Sequence, residues 1–429
     1  SLVAYLYMEP LDQNHKDSTE TQRFFPDGFF WGAATASYQV EGGIENCDWA
    51  QAAREGRVAP AGRLADQYHR FEEDFDLSVS LGHNAHRFSI EWARIEPREG
   101  EFDDEAIAHY RSVLQALQER QLEPFVTLWH FTLPQWLADK GGFEHPQAPE
   151  IFARYCRFVV TQLGDMCTHV TTINEPNIYS ALGYLRGAWP PFVRFSLASV
   201  SGQVANEHRD SESTATRTIW APVRWWRVMN RLIAAHRAAY RAIKESQPHL
   251  QVSLVKHVHV YTATKNPIKQ LWALIAHYCL NAYVMNRCAD YCDEIGLNYY
   301  RHTTFGDATQ YKKTDMGWTQ RPGDIEFALR YLGRFQKPIV VSEAGIADHD
   351  DDDRPAYIKA QVAGVHRAVQ AGVDVRGHFY WSLIDNYEWD LGVSKKFGLI
   401  EIDYETLERR PRPSAYVYKD ICERNAVVE

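Results

Sequence analysis

The sequence predicts an α/β protein of one (β/α)8 barrel domain, and three observations carry that prediction. Eight short apolar runs rich in β-branched and aromatic residues recur along the 429 residues. Nearly every one is followed by a stretch with helical spacing of its apolar positions. Near-continuous apolar strands alternating with helices mark a parallel sheet covered on both faces, and eight of them favour closure into a barrel over an open doubly wound sheet.

The runs begin near Phe30, His86, Glu123, Val170, Gln251, Glu294, Pro338 and Gly377. Helical periodicity fills the intervals at Leu64 to Leu81, Asp103 to Arg120, Ile151 to Leu163, Trp226 to Ile243, Ile325 to Phe335 and Ala356 to Gln370. Asp103 and Asp104 suit a helix N-terminus. The widest interval, after the fourth run, contains a polar insertion from Ser199 to Thr218 that reads as a long surface loop. The run Asp350 to Asp353 reads as a solvated helix N-terminus and not as a cation site. Residues 1–22 read as a flexible tail, and residues 23–429 as the single catalytic domain, with no repeat or Gly/Ser linker to divide them.

Charge and cysteine narrow the class. The formal net charge is −10, which offers nucleic acid no electrostatic footprint, and no basic helix is read as suiting an anionic membrane. No apolar run reaches the roughly 18 to 20 residues a spanning helix needs. Seven cysteines, an odd number in a chain large enough to bury its own core, do not form a disulfide framework. Cys288 and Cys292, four apart on an expected helix, read as core thiols rather than metal ligands. The expectation is a reducing, cytoplasmic setting.

In a (β/α)8 barrel the chemistry sits at the C-terminal ends of the strands. The polar residues there are Gln39 and Glu41, Arg87 and Glu91, His130, Asn174 and Glu175, Asn298 and Tyr300, and Glu343, with Trp381 ending the eighth run. Glu175 and Glu343 close apolar strands three apart in the ring. Two opposed carboxyls flanking a cavity are what glycoside hydrolysis requires, one protonated for the departing oxygen and one ionised to attack. Taken singly, each residue has a plainer reading. His130 suits a buried, satisfied histidine, Gln39 a strand-end amide, Trp381 and Trp389 packing, and Glu388 a loop charge beside Lys395 or Lys396.

Four motifs in order resemble glycoside hydrolase family 1, the β-glucosidase family, over about residues 24–421. They are FFPDGFFWGAATASYQVEGG, TTINEPN, VVSEAG and YWSLIDNYEWDLGVSKKFGLIEID. The resemblance implies that Glu175 is the general acid/base, with Asn174 on the sugar 2-hydroxyl, and that Glu343 is the nucleophile. It places Arg87 and Tyr300 beside Glu343, with Arg87 lowering the nucleophile's pKa. It makes Gln39, His130, Glu388 and Trp389 the glycone-binding set, and Trp381 the stacking floor; Asn298 joins the substrate-binding residues. A carboxyl separation of about 5 to 5.5 Å and retention of configuration follow.

The same resemblance implies an exo-acting enzyme on β-D-glucosides, with β-galactosidase and β-fucosidase side activity. No metal or organic cofactor is implied, because both reacting groups are protein carboxyls. Asn386-Tyr387-Glu388-Trp389 stands where relatives acting on 6-phosphorylated sugars carry their phosphate set, so small unphosphorylated β-glycosides are expected. Three departures stand out: Ala344 where Asn is usual, Glu91 where a small polar residue is usual, and an unfamiliar stretch from Pro191 to Trp225. A transglycosylase shares the covalent intermediate and is the alternative. A non-hydrolytic sugar-binding protein would be favoured by loss of one Glu, and both are present.

Overall fold

The computed structural model describes residues 22–197 and 215–428. Eight parallel strands close into a barrel in sequential order: β1 (Phe30–Ala34), β2 (Ala85–Ser89), β3 (Glu123–Thr127), β4 (His169–Asn174), β5 (Gln251–His257), β6 (Glu294–Tyr299), β7 (Ile339–Ala344) and β8 (Val375–Trp381). Each coincides with one of the eight apolar runs. The ring closes because β5 pairs with both β4 and β6, and β8 with β1.

Side chains from strands that are not neighbours meet through the barrel interior. Phe125 on β3 lies 4.7 Å, ring to ring, from Phe379 on β8. His169 on β4 stacks on Phe125 at 4.1 Å and meets Phe30 on β1 at 5.4 Å. These rings fill the barrel beneath its C-terminal rim, so the rim is the floor of a cavity and not the mouth of a pore.

The helices follow the expected periodicity with displaced ends. The first expected at Leu64 runs over Gln67–Ser80, because Leu64 and Asp66 have positive φ, 49° and 52°, which a helix excludes. The expected Trp226 start moves back to Ala221, with Pro222 in the first turn of a helix that continues to Ser246. Asp103 caps Asp104–Glu119 by accepting from Glu105 N and Ala106 N. Cys292 lies beyond the helix Tyr283–Cys288, in extended backbone, and all seven cysteines are free thiols. Asp351 is buried, not solvated. It pairs with Arg354 and accepts from Ser414 N at 2.9 Å and Ser414 Oγ at 2.6 Å. Among the described residues no cluster of three metal-ligating side chains occurs, and no helix is long and apolar enough to cross a membrane.

The expected tail falls outside the described residues except for Gln22, which belongs to a strand, Gln22–Phe24, paired with Ala426–Val428. Most of the expected Ser199 to Thr218 loop also lies outside them. The two ends of that region pair as short parallel strands, Val193–Phe195 with Thr216–Thr218.

Candidate active site

The strand ends converge on a cavity of about 490 Å³ lined by Gln39, His130, Glu175, Tyr300, Glu343, Trp381, Glu388 and Trp389, among others. Eight of the eleven residues to which the resemblance gives a role therefore share one wall. The other three, Arg87, Asn174 and Asn298, are fully buried behind it.

Glu175 follows the last residue of β4, where strand turns to helix. Its backbone is left-handed, φ 44° and ψ 60°, and Pro176 opens the helix Pro176–Tyr184. A non-glycine residue held in this region is uncommon and is retained only where the surroundings over-determine it. Here the Glu175 N–H donates to Val255 O on β5 at 2.9 Å, while its carbonyl accepts from Ile178 N and Tyr179 N.

Glu343 stands one residue before the end of β7, beside an irregular register with both neighbouring strands, a device that re-aims side chains at sites. Gly345 behind it tolerates no side chain, since a Cβ there would meet Trp381 O at 2.0 Å. Ala344 is buried in the ladder between Tyr299 and Tyr380.

Arg87 Nη1 donates to Glu343 Oε1 at 2.6 Å, and the Tyr300 hydroxyl donates to Glu343 Oε2 at 2.8 Å. Arg87 Nη2 reaches Asn174 Oδ1 at 2.9 Å. From the other side, Asn298 Nδ2 donates to Glu175 Oε1 at 2.8 Å and its Oδ1 accepts from Ser342 Oγ at 2.8 Å. Each carboxyl is thus tied to the chain neighbour of the other.

The two carboxyls have different electrostatic surroundings. Burial and the charge of Glu343 push Glu175 up to about 8. Burial also raises Glu343, but Arg87 and Tyr300 oppose it. Desolvation outweighs the guanidinium, so Arg87 lowers Glu343 as expected and its effect is to limit the rise. The two carboxyls titrate as a coupled pair, with Arg87 and Tyr300 favouring the charged form of Glu343. Burial and the charges of Glu343 and Asp390 push Glu388 up to about 8 as well.

Five polar atoms of cavity-lining residues, Gln39 Oε1, His130 Nδ1, Asn177 Oδ1, His257 Nδ1 and Glu388 Oε2, are buried without a protein partner. Such atoms are rare in a folded protein unless a ligand serves them. Gln39 is oriented by donating to Asn386 Oδ1 and Tyr387 O, at 3.0 and 2.8 Å. His130 lies nearly parallel to both Trp381 and Trp389, at 5.9 and 6.0 Å. Lys395 and Lys396 do not pair with Glu388; they turn to Asp315 O and Asp385.

Several participants escaped the sequence reading. Trp189 stacks obliquely on Trp389 at 5.3 Å and donates to Asp390 Oδ1 at 2.8 Å, fastening two rim loops together. Lys256 on β5 is fully buried beside Asn281, and burial lowers its pKa to about 7 against the pull of Glu175. Glu41 and Glu91, which the strand-end rule placed at the rim, face away from the cavity. Glu41 pairs with Arg94 at 2.9 Å. Glu91 accepts from Ser37 Oγ, Thr132 Oγ1 and Ala93 N at 3.0 to 3.1 Å, and so holds the backbone two residues from Gln39 and two from His130.

Burial raises Glu91 to about 7. An acid whose folded pKa exceeds its ordinary value of about 4.3 stabilises the fold below that value, and the contribution is lost as pH rises through about 7. Glu91→Gln, which stays neutral, should therefore gain about 3 kcal/mol on the wild type between about pH 5 and pH 8. Parallel stability-versus-pH curves from denaturant unfolding would contradict this.

A parallel barrel with two unequal buried carboxyls at strands three apart defines a glycoside hydrolase, an enzyme of O-glycosyl bonds. Comparison with known proteins agrees. The family model described as glycosyl hydrolase family 1 matches residues 21–273 and 261–427, and the chain belongs to that family. It is 30% identical to Beta-glucosidase A of Thermotoga maritima over 94% of this chain and 98% of that protein. It is 29% identical to a Beta-galactosidase of Sulfolobus acidocaldarius over 94% and 96%. Among solved structures, a beta-glycosidase from Pyrococcus horikoshii superposes with a TM-score of 0.83 at 32% identity, covering 95% of this chain and 97% of that one. The Thermotoga maritima beta-glucosidase in complex with glucoimidazole gives 0.82 at 27%, covering 94% and 99%.

Proposed function

We propose that this enzyme is a retaining exo-β-glucosidase that acts on unphosphorylated β-D-glucosides, with galactosides and fucosides as slower substrates. The observation that carries the reading is the group of unpartnered polar atoms lining the cavity, those of Gln39, His130 and Glu388 among them, set near the rings of Trp381 and Trp389. A glycone supplies both hydroxyls for such atoms and C–H faces for such rings.

In this reading Glu343 attacks the anomeric carbon while Glu175 gives its proton to the departing oxygen. The bond to the aglycone breaks as the glycosyl ester forms. Water then attacks that ester, Glu175 takes up a proton from it, and the β-configured sugar and free Glu343 are restored. Esterification removes the Glu343 charge, one of the two causes that raise Glu175, so the acid of the first step becomes a competent base in the second. The ties through Asn298 and Arg87 support the short carboxyl separation of about 5 to 5.5 Å that retention needs. The relatives named beta-glucosidase and beta-galactosidase support the glycone class. Exclusion of 6-phosphates is supported by Lys395 and Lys396, which are engaged elsewhere.

A panel of p-nitrophenyl β-glycosides, with the 6-phosphate of the glucoside included, tests this. Glucoside should be preferred, the 6-phosphate should be the poorest, and the first sugar seen by NMR should be the β-anomer. Glu388→Ala should lower kcat/KM on glucoside and galactoside by about 100-fold, as the loss of hydrogen bonds to substrate hydroxyls commonly does. An α-anomer as first product, or preference for the 6-phosphate, would overturn the proposal.

A further inference from the structure

The helix Pro267–His277 carries its apolar residues on the wrong side for a core helix. Its buried positions are Ala273 and His277, while Ile268, Leu271, Trp272, Ile275 and then Tyr278 face outward, with Ile268 64% and Trp272 56% exposed. Their spacing of i, i+3, i+4, i+7 and i+10 is that of a continuous apolar stripe. The helix is well formed, because Asn266 Oδ1 caps it by accepting from Ile268 N and Lys269 N.

A second exposed group, Trp220, Val223 and Trp226, occupies the first turns of Ala221–Ser246. The two groups are linked by contacts. Asn230 Nδ2 donates to Trp226 O, Tyr283 Oη donates to Asn230 Oδ1, and the Tyr283 ring meets Tyr278 edge-on at 6.2 Å. Exposed apolar surface of this extent marks an interaction site.

Charge identifies what it fits. Residues 215–288 hold eleven Lys and Arg against one acid, Glu245, in a chain whose total is −10; Lys256 is buried, and Arg224, Arg227 and Lys244 pair with Glu144 and Asp293, so the charge of the face rests on the remaining cations. The whole-chain balance concealed this; the helix Ala221–Ser246 carries six of the eleven cations. Arg217, Lys265 and Lys269 are exposed and make no ion pair among the described residues.

A second copy meeting this face across a two-fold axis would set like charge against like. Residues 198–214 contain no aromatic residue, Leu or Ile to cover the stripe.

We propose that this basic, tryptophan-bearing face docks the enzyme on an anionic lipid bilayer, with Pro267–His277 lying in the plane of the interface. Trp and Tyr suit the boundary between headgroup and acyl chain, and the cations suit an anionic surface. Leu280, two residues past Tyr278, lines the catalytic cavity, so the docked face adjoins its mouth.

The test is co-sedimentation of the full chain with vesicles of phosphatidylcholine alone or mixed with phosphatidylglycerol. Enrichment on the anionic vesicles should exceed that on phosphatidylcholine by about ten-fold at about 0.1 M salt and disappear at about 1 M. Lys265→Glu with Lys269→Glu should abolish it, as should Leu271→Ser with Trp272→Ser, while aryl glucosidase activity in solution stays unchanged and shows that the variants fold. Equal binding to both vesicles, or none, overturns the proposal. Vesicle binding that survives both double substitutions overturns it too, as does a concentration-dependent dimer that they dissolve without any vesicle binding.

Discussion

Glu343→Gln is expected to abolish turnover, lowering kcat on p-nitrophenyl β-glucoside by about 10⁵-fold or more, the scale of loss when the nucleophile of a covalent mechanism is removed. The substitution is nearly isosteric, so the cavity keeps its shape and the loss is chemical. Its cost to the fold should be smaller but measurable. Arg87 keeps Asn174 Oδ1, Ser342 O and Thr127 Oγ1 as acceptors yet loses the carboxylate it pairs with among the described residues, which leaves a buried cation incompletely paired, at about 3 kcal/mol. Mass spectrometry of the wild type, stalled with an activated 2-fluoro glucoside, should place the sugar on the peptide that contains Glu343. A label elsewhere, or a variant rate within ten-fold of wild type, would remove Glu343 from this role.

Glu175→Ala should show a loss that depends on the leaving group. With an unactivated aglycone kcat should fall by about 10³- to 10⁴-fold, whereas a dinitrophenolate, which departs without a proton, should be affected least in the first step. Azide should then restore turnover and yield the β-glycosyl azide, since the small anion enters where the carboxyl stood; an α-azide would contradict retention. The pH profile adds an independent reading. Glu175 acts while protonated, so wild-type activity should decline above about pH 8 as it ionises. The acid limb follows protonation of Glu343. In Glu175→Ala the alkaline limb should vanish while the acid limb stays, and a persisting alkaline limb would assign it to another group, with Glu388 the first candidate.

The barrel was legible because a parallel strand buried on both faces must be apolar along its whole length, and eight such runs leave few other architectures. The carboxyl pair was legible because strand ends are where polar residues otherwise have no reason to interrupt apolar runs. That same logic misplaced Glu41 and Glu91, which also follow strands: the direction of a side chain past the strand depends on the turn, and both point behind the rim toward Arg94, Ser37 and Thr132. Lys256 was hidden by its setting among hydrophobic residues, and its partner Asn281 lies in a π-helical turn that periodicity does not anticipate. Trp189 reads as one more core aromatic until the fold brings it beside Asp390, about two hundred positions along the chain. The exposed stripe was missed because no helix was read at Pro267–His277, in the interval between the runs at Gln251 and Glu294.

The crossed ties through Arg87 and Asn298 have a consequence for change in this protein. Since the reacting groups are positioned from β2, β4, β6 and β7, the loops above them are free to diverge without resetting the chemistry. Changes at Ala188 and Met316, which line the cavity from loops outside those strands, should then recast which aglycones are accepted and leave the intrinsic reactivity of the machinery underneath unaltered.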